Sequence, residues 1–153
     1  TGEAAPGGAK NNRAVVRPFG SRKDSYKADA AYDDETRLAY QGIVSGKSIF
    51  GIRLEQILYA LDFIWGDMQK GAGGKLLLHG GRQGALLGAF ACMMRRNVSK
   101  VYCEELIKSF STLFGKGDYL LNETDIIPGI LKEFDIDILA DSLGERIDVI
   151  SYV

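Results

Sequence analysis

The residues with the clearest chemical signature form the glycine-flanked turn Gly80-Gly81-Arg82-Gln83-Gly84. They lie between a short aliphatic run and an apolar helical pattern, where a G-x-S-x-G turn would present a nucleophilic serine. Glycines at both ends of such a turn let the strand and helix backbones pass closely, and the middle residue is expected to have a positive φ. Here the middle residue is Arg82, whose guanidinium stays protonated and has no lone pair for attack. The sequence therefore predicts the backbone of a nucleophile turn without its nucleophile.

The side chain of Arg82 has two plausible roles. Beside the backbone N–H groups at the start of a helix, it would help to bind a carboxylate or phosphate. Alternatively, Arg82 pairs with a nearby carboxylate of the protein itself. We favour the second role, because the positive end of a helix is an unfavourable place for an unpaired cation.

Three further polar residues, His79, Glu104 and Glu105, form a candidate pocket because they end or follow predicted strands. Ligands of open α/β sheets collect at the carboxyl ends of the strands. For Glu104 and Glu105 we favour the alternative that they begin a helix, where carboxylates complement the helix dipole. His79 is the only histidine, which excludes a histidine-rich metal site. Its expected role is packing or hydrogen bonding at the strand end.

The sequence predicts neither a metal site nor a cofactor. Cys92 and Cys103 have the spacing of neither a CxxC redox pair nor a zinc half-site, so we expect two buried structural thiols. The run Gly42 to Ser48 is similar to a phosphate-binding P-loop. Three residues instead of four separate its glycines, however, and no buried strand precedes it, so we do not expect it to bind a nucleotide.

The elements that position these residues follow from apolar periodicity. The pattern predicts strands at 75–79, 98–103 and 146–153, and helices at 35–41, 51–65, 85–94, 105–114, 126–134 and 136–143. Residues 1–34 are predicted to be mostly loop, with a short extended piece at 13–17, and residues 35–153 to form the strand and helix core of one domain. Alternating strands and helices favour an α/β fold with a partial, doubly wound parallel sheet covered on both faces.

Composition narrows the class of partner. The 153 residues are 46% hydrophobic, which is enough for a continuous core. The net charge of −1 does not favour binding to nucleic acid. Apolar runs fall short of the roughly 20 residues that a membrane span needs, so a soluble protein without a span is expected.

Three good strands are few for such a sheet, and the chain does not begin with Met. We expect a fragment, or one chain of a two-chain domain, with a protein partner or flanking segments completing the sheet.

The order of the motifs resembles the acetyl-xylan-esterase-like branch of the α/β hydrolases. The segments are TGEAAPGG, RLAY, GKSIFGIRLEQILYALDFI, LLLHGGRQGALLGAFA, VSKVYCEELIKSFSTLF, IIPGILKEFDIDILADSL and RIDVISYV, and the similarity covers most of residues 1–153. The resemblance implies an α/β-hydrolase-like, three-layer architecture and a serine-esterase origin. It also implies an oxyanion-hole loop upstream of Thr1, a catalytic histidine downstream of Val153, a carbohydrate or ester ligand, and a secreted or periplasmic location.

Two functional hypotheses follow. The first is a catalytically degenerate hydrolase-like module with a structural or binding role in a larger protein or complex, because Arg82 replaces the nucleophile. The second is a segment of an active carboxylic-ester hydrolase acting on acetylated carbohydrate, its site completed by residues outside this chain. Ser109 and Ser111 follow the second strand, but neither lies in a glycine-flanked turn, so neither is a convincing nucleophile.

Overall fold

The computed structural model describes residues 13–16, 34–70, 74–113 and 123–153. These contain the helices α1 (Asp34–Val44), α2 (Ile49–Gln69), α3 (Gln83–Met94), α4 (Phe110–Leu113) and α5 (Ile136–Leu143), and the strands β1 (Leu76–Gly81), β2 (Val98–Glu104) and β3 (Ile147–Val149). Short 3₁₀ turns lie at Glu123–Asp125, Ile130–Lys132 and Gly144–Arg146. None of the described helices is long and apolar enough to cross a membrane. The protein has a mixed α/β fold.

The three strands form one parallel sheet in the order β1-β2-β3, which confirms the predicted parallel arrangement. The register places Leu77 beside Lys100 and Gly81 beside Glu104. Helix α3 makes the crossover from β1 to β2, and the crossover to β3 contains α5. The carboxyl ends of all three strands therefore meet at one edge of the sheet, directly before α3.

Helix α3 is the centre of the core. Its residues from Ala85 to Cys92 are all buried, because α3 packs on β1 and β2 with one side and on α2 and α5 with others. Among the described elements, α3 is the helix that packs broadly on the sheet. The opposite face carries Leu77, which is 57% exposed, and the exposed His79. The predicted cover on both faces is thus not found within the described ranges.

The C-terminal end of α3 contacts distant parts of the chain. At its C-terminal end, Arg146 donates from Nη2 to the carbonyl oxygens of Cys92, Arg95 (2.9 Å) and Val98 (2.9 Å). Arg95 in turn forms two hydrogen bonds with the Asp62 carboxylate, of 2.8 and 2.9 Å, which join this end to α2. Arg146 thereby satisfies the carbonyl groups of Cys92 and Arg95, which the helix end leaves without intrahelical partners.

Helix α2 extends beyond its predicted end. The Ser48 side chain caps its start by accepting a hydrogen bond from the Gly51 N–H (3.0 Å). The sequence predicts a helix that ends at residue 65, directly before Gly66, but the helix continues to Gln69. Trp65 and Met68 pack against the core on either side of Gly66. Their burial offsets the cost of one internal glycine, which is only about 1 kcal/mol relative to alanine.

The predicted helix at 105–114 is wrong over most of its length, since only Phe110–Leu113 is helical. Glu105 has a φ of 53°, which prevents a helix from beginning there. Leu106 then continues the parallel pairing: its N–H donates to the Ser151 carbonyl and its own carbonyl accepts from the Val153 N–H, each at 3.0 Å. Residue 114 lies outside the described ranges.

The predicted helix at 126–134 is also wrong. Only Ile130–Lys132 forms a 3₁₀ turn, because Pro128 has no N–H to donate and Gly129 has a φ of 81°. The helix predicted at 136–143 is confirmed, and the Asp135 side chain caps it. The last predicted strand is shorter than expected: β3 is followed by an isolated bridge between Leu106 and Tyr152. Residues 13–16 have no regular structure, and most of the predicted loop 1–34 lies outside the described residues.

Candidate functional site

The glycine-flanked turn has the strained backbone that its sequence predicts. Arg82 joins β1 to α3 with a φ of 46° and a ψ of −115°, which confirms the expected positive φ. Its N–H donates to the Glu104 carbonyl (2.9 Å), and its carbonyl accepts from the N–H groups of Ala85 and Leu86 (3.0 and 3.2 Å). The turn is therefore fixed to β2 on one side and to the first turn of α3 on the other.

Gly80 is the glycine that the turn requires for close packing. A Cβ atom at this position would overlap the Gly84 carbonyl group and lie 2.7 Å from the Ala85 nitrogen. A Cβ on Gly81 or Gly84 would meet nothing within 4 Å, and one on Gly88 would lie 3.0 Å from Val101 Cγ2. The backbones of β1 and α3 can approach this closely because residue 80 has no side chain.

The Arg82 side chain forms an ion pair with Glu105, with Nε 2.6 Å from Oε2. The two side chains are 75% and 46% exposed, so the pair lies at the surface. This contact agrees with the prediction that Arg82 pairs with a carboxylate of the protein itself. Glu105 also has a positive φ, and its N–H donates to the Ser151 hydroxyl (2.8 Å). Our preferred interpretation of Glu104 and Glu105 as a helix start is wrong, since α4 begins only at Phe110.

His79 and Glu104 form a second pair on the face of the sheet opposite α3, with Nε2 3.1 Å from Oε1. Both side chains are about half exposed, at 59% and 49%. The hydrogen-bonding role predicted for His79 is confirmed. Each acidic residue of the candidate pocket thus contacts a basic residue from the end of β1 or the following turn. The structure brings the predicted site residues together as a surface cluster, and all of these side chains are solvent-exposed.

A buried polar network behind the turn was not predicted. Gln83 donates from Nε2 to Thr124 Oγ1 (3.0 Å) and to the Asp125 carboxylate, and its Oε1 accepts from Arg53 Nη1. Arg53 is fully buried, and Thr124 and Asp125 are nearly so. One signal was available in the sequence, since Arg53 lies one helical turn before Ile57, on the face of α2 that the apolar stripe occupies.

A cleft of about 340 Å³ lies beside β1 and reaches the start of α3. Its aliphatic lining comes from the segment 13–16, from α2, from β1 and from α3, and consists of Ala14, Val16, Ile57, Leu61, Leu77, Leu78 and Leu87. His79 and Gln83 are the polar side chains among its described lining residues. The cleft is therefore mainly apolar and touches two residues of the candidate site.

Ser109 has a structural role. Its buried hydroxyl donates to Asp135 Oδ2 (2.6 Å), and the same carboxylate accepts from the N–H groups of Phe110, Ser111 and Ile136. Burial raises the pKa of Asp135, but the hydroxyl and the three N–H groups outweigh it and hold the pKa well below its usual range. Asp135 thereby joins the starts of α4 and α5, and the Ser109 hydroxyl takes part in this junction through its hydrogen bond to Asp135.

Both cysteines are buried free thiols, as predicted. Cys103 Sγ donates to the Ala85 carbonyl (3.5 Å). Burial raises the pKa of Cys103 to about 11 and also raises the pKa of Cys92, so both thiols are protonated near neutral pH. Within the described ranges, no three His, Cys, Asp or Glu side chains are grouped so that they could hold a metal ion.

Fold and site together define a class: a mixed α/β protein with a parallel three-stranded sheet and a glycine-shaped strand-to-helix turn occupied by an ion-paired arginine. Comparison with protein-family models, curated proteins and solved structures found no match to this chain.

Proposed function

We propose that this chain is a catalytically degenerate α/β-hydrolase-like module, of the acetyl-xylan-esterase-like kind, with a structural or binding role in a larger protein or complex. The observation that carries the proposal is Arg82. It occupies a strained turn between β1 and the apolar helix α3, where a nucleophile would lie, and its side chain forms an ion pair with Glu105. The order of the sequence motifs supports the relationship to hydrolases.

Among the residues that the structure describes, the groups that acyl transfer requires do not meet. A guanidinium cannot accept an acyl group, and Arg82 is engaged in an ion pair. The sole histidine, His79, lies before the turn and contacts Glu104 on the face of the sheet. The Ser109 hydroxyl donates to Asp135, whose lowered pKa makes that carboxylate a weak base for activating the serine. We therefore propose that the turn has a structural role, in which it joins β1 to α3.

Fluorophosphonate labelling, read by mass spectrometry, tests the proposal because the probe reacts with activated serines. The wild-type chain and the Arg82→Ser variant are compared, with Arg82→Ala as the matched control that has no hydroxyl. We expect no labelled serine in any of the three, and hydrolysis of p-nitrophenyl acetate at the rate of buffer alone. A labelled serine in the wild-type chain would instead establish the active-esterase hypothesis. Labelling at position 82 of Arg82→Ser alone would show that a base and oxyanion donors persist, and would contradict the degeneration proposed here.

A further inference from the structure

We draw no further inference here: the strongest candidate, the apolar cleft between β1 and the helices α2 and α3, is lined in part by this chain's own Ala14 and Val16, and nothing in the structure shows what covers it.

Discussion

Arg82 and Glu105 are the two non-glycine residues with positive φ in the described chain, and their side chains form an ion pair with each other. Each follows the end of a parallel strand: Arg82 comes directly after β1, and Glu105 directly after β2. The two strained turns are therefore neighbours because their strands are neighbours. The register that places Gly81 beside Glu104 brings them together.

Substitution of Arg82 separates the backbone strain from the ion pair. Arg82→Gly and Arg82→Ala both remove the guanidinium, but only glycine adopts a positive φ without a steric penalty. We expect Arg82→Gly to have a free energy of unfolding about 1 kcal/mol higher than that of Arg82→Ala. Urea unfolding measures this difference. Equal stabilities would mean that the turn relaxes when the side chain is removed.

Gly80→Ala should destabilise the fold strongly. The new methyl group would overlap the Gly84 carbonyl, which belongs to the backbone and cannot turn away. We expect the free energy of unfolding to fall by about 1–3 kcal/mol or more. Gly84→Ala is the matched control, because its Cβ has open space and alanine favours the helix, so its stability should stay equal or rise by up to about 1 kcal/mol. Thermal unfolding of both variants tests this contrast, and a harmless Gly80→Ala would refute the close approach of β1 and α3.

Gln83→Ala should weaken the buried network behind the turn. The substitution removes the amide group that donates hydrogen bonds to Thr124 and Asp125. It also removes the oxygen that accepts a hydrogen bond from Arg53. Loss of a buried hydrogen-bond partner costs about 1–3 kcal/mol, and we expect the free energy of unfolding to fall by that amount. Gln69→Ala, at the exposed end of α2, should change it by less than about 0.5 kcal/mol. If the two variants matched in urea unfolding, the network would contribute nothing to stability.

Asp135 should make stability depend on pH in the acid range. Its folded-state pKa lies below the unfolded value, near 3.8, because Ser109 and three N–H groups bind the charged form. A depressed pKa contributes stability that is fully present above the unfolded pKa and is lost as the pH falls toward the folded one. We expect Asp135→Asn to reduce the free energy of unfolding most at pH 7 and progressively less below about pH 4.

Urea unfolding from pH 7 to pH 2.5 measures this dependence. Asp137→Asn, which removes an exposed carboxylate from the first turn of the same helix, controls for the change in net charge. A difference between the wild-type chain and Asp135→Asn that stayed constant with pH would show that the hydrogen bonds do not depend on the charge of Asp135.

The elements that sequence analysis placed well are those whose local patterns agree with their tertiary surroundings. Helix α5 matches because its apolar positions repeat with helical spacing and Asp135 caps it. Strands β1 and β2 differ from prediction by one or two residues at their ends. The glycine spacing of the turn was sufficient to predict the positive φ of Arg82, because that conformation is a local property of the backbone.

The predicted helices that are wrong lie where tertiary contacts or residues with a positive φ decide the structure. The sequence after Glu104 has helical periodicity, but pairing of Leu106 with residues near Tyr152 keeps it extended. The partners of Arg82 and His79 depend on the register between β1 and β2, which no local pattern specifies. Arg53 is different, because a charged residue in phase with an apolar stripe was a visible signal of a buried polar network.

Arg146 closes the carbonyl groups at the end of α3 although it lies 54 residues after Cys92 in the chain. The hydrogen bonds at the end of α3 are therefore completed by a residue that is synthesised much later. A long loop of the chain must close to bring Arg146 to the helix end. Closing a loop of this length costs conformational entropy, which opposes these contacts. The end of α3 therefore depends on the segment leading into β3 for the hydrogen bonds that its Cys92 and Arg95 carbonyl groups receive from Arg146.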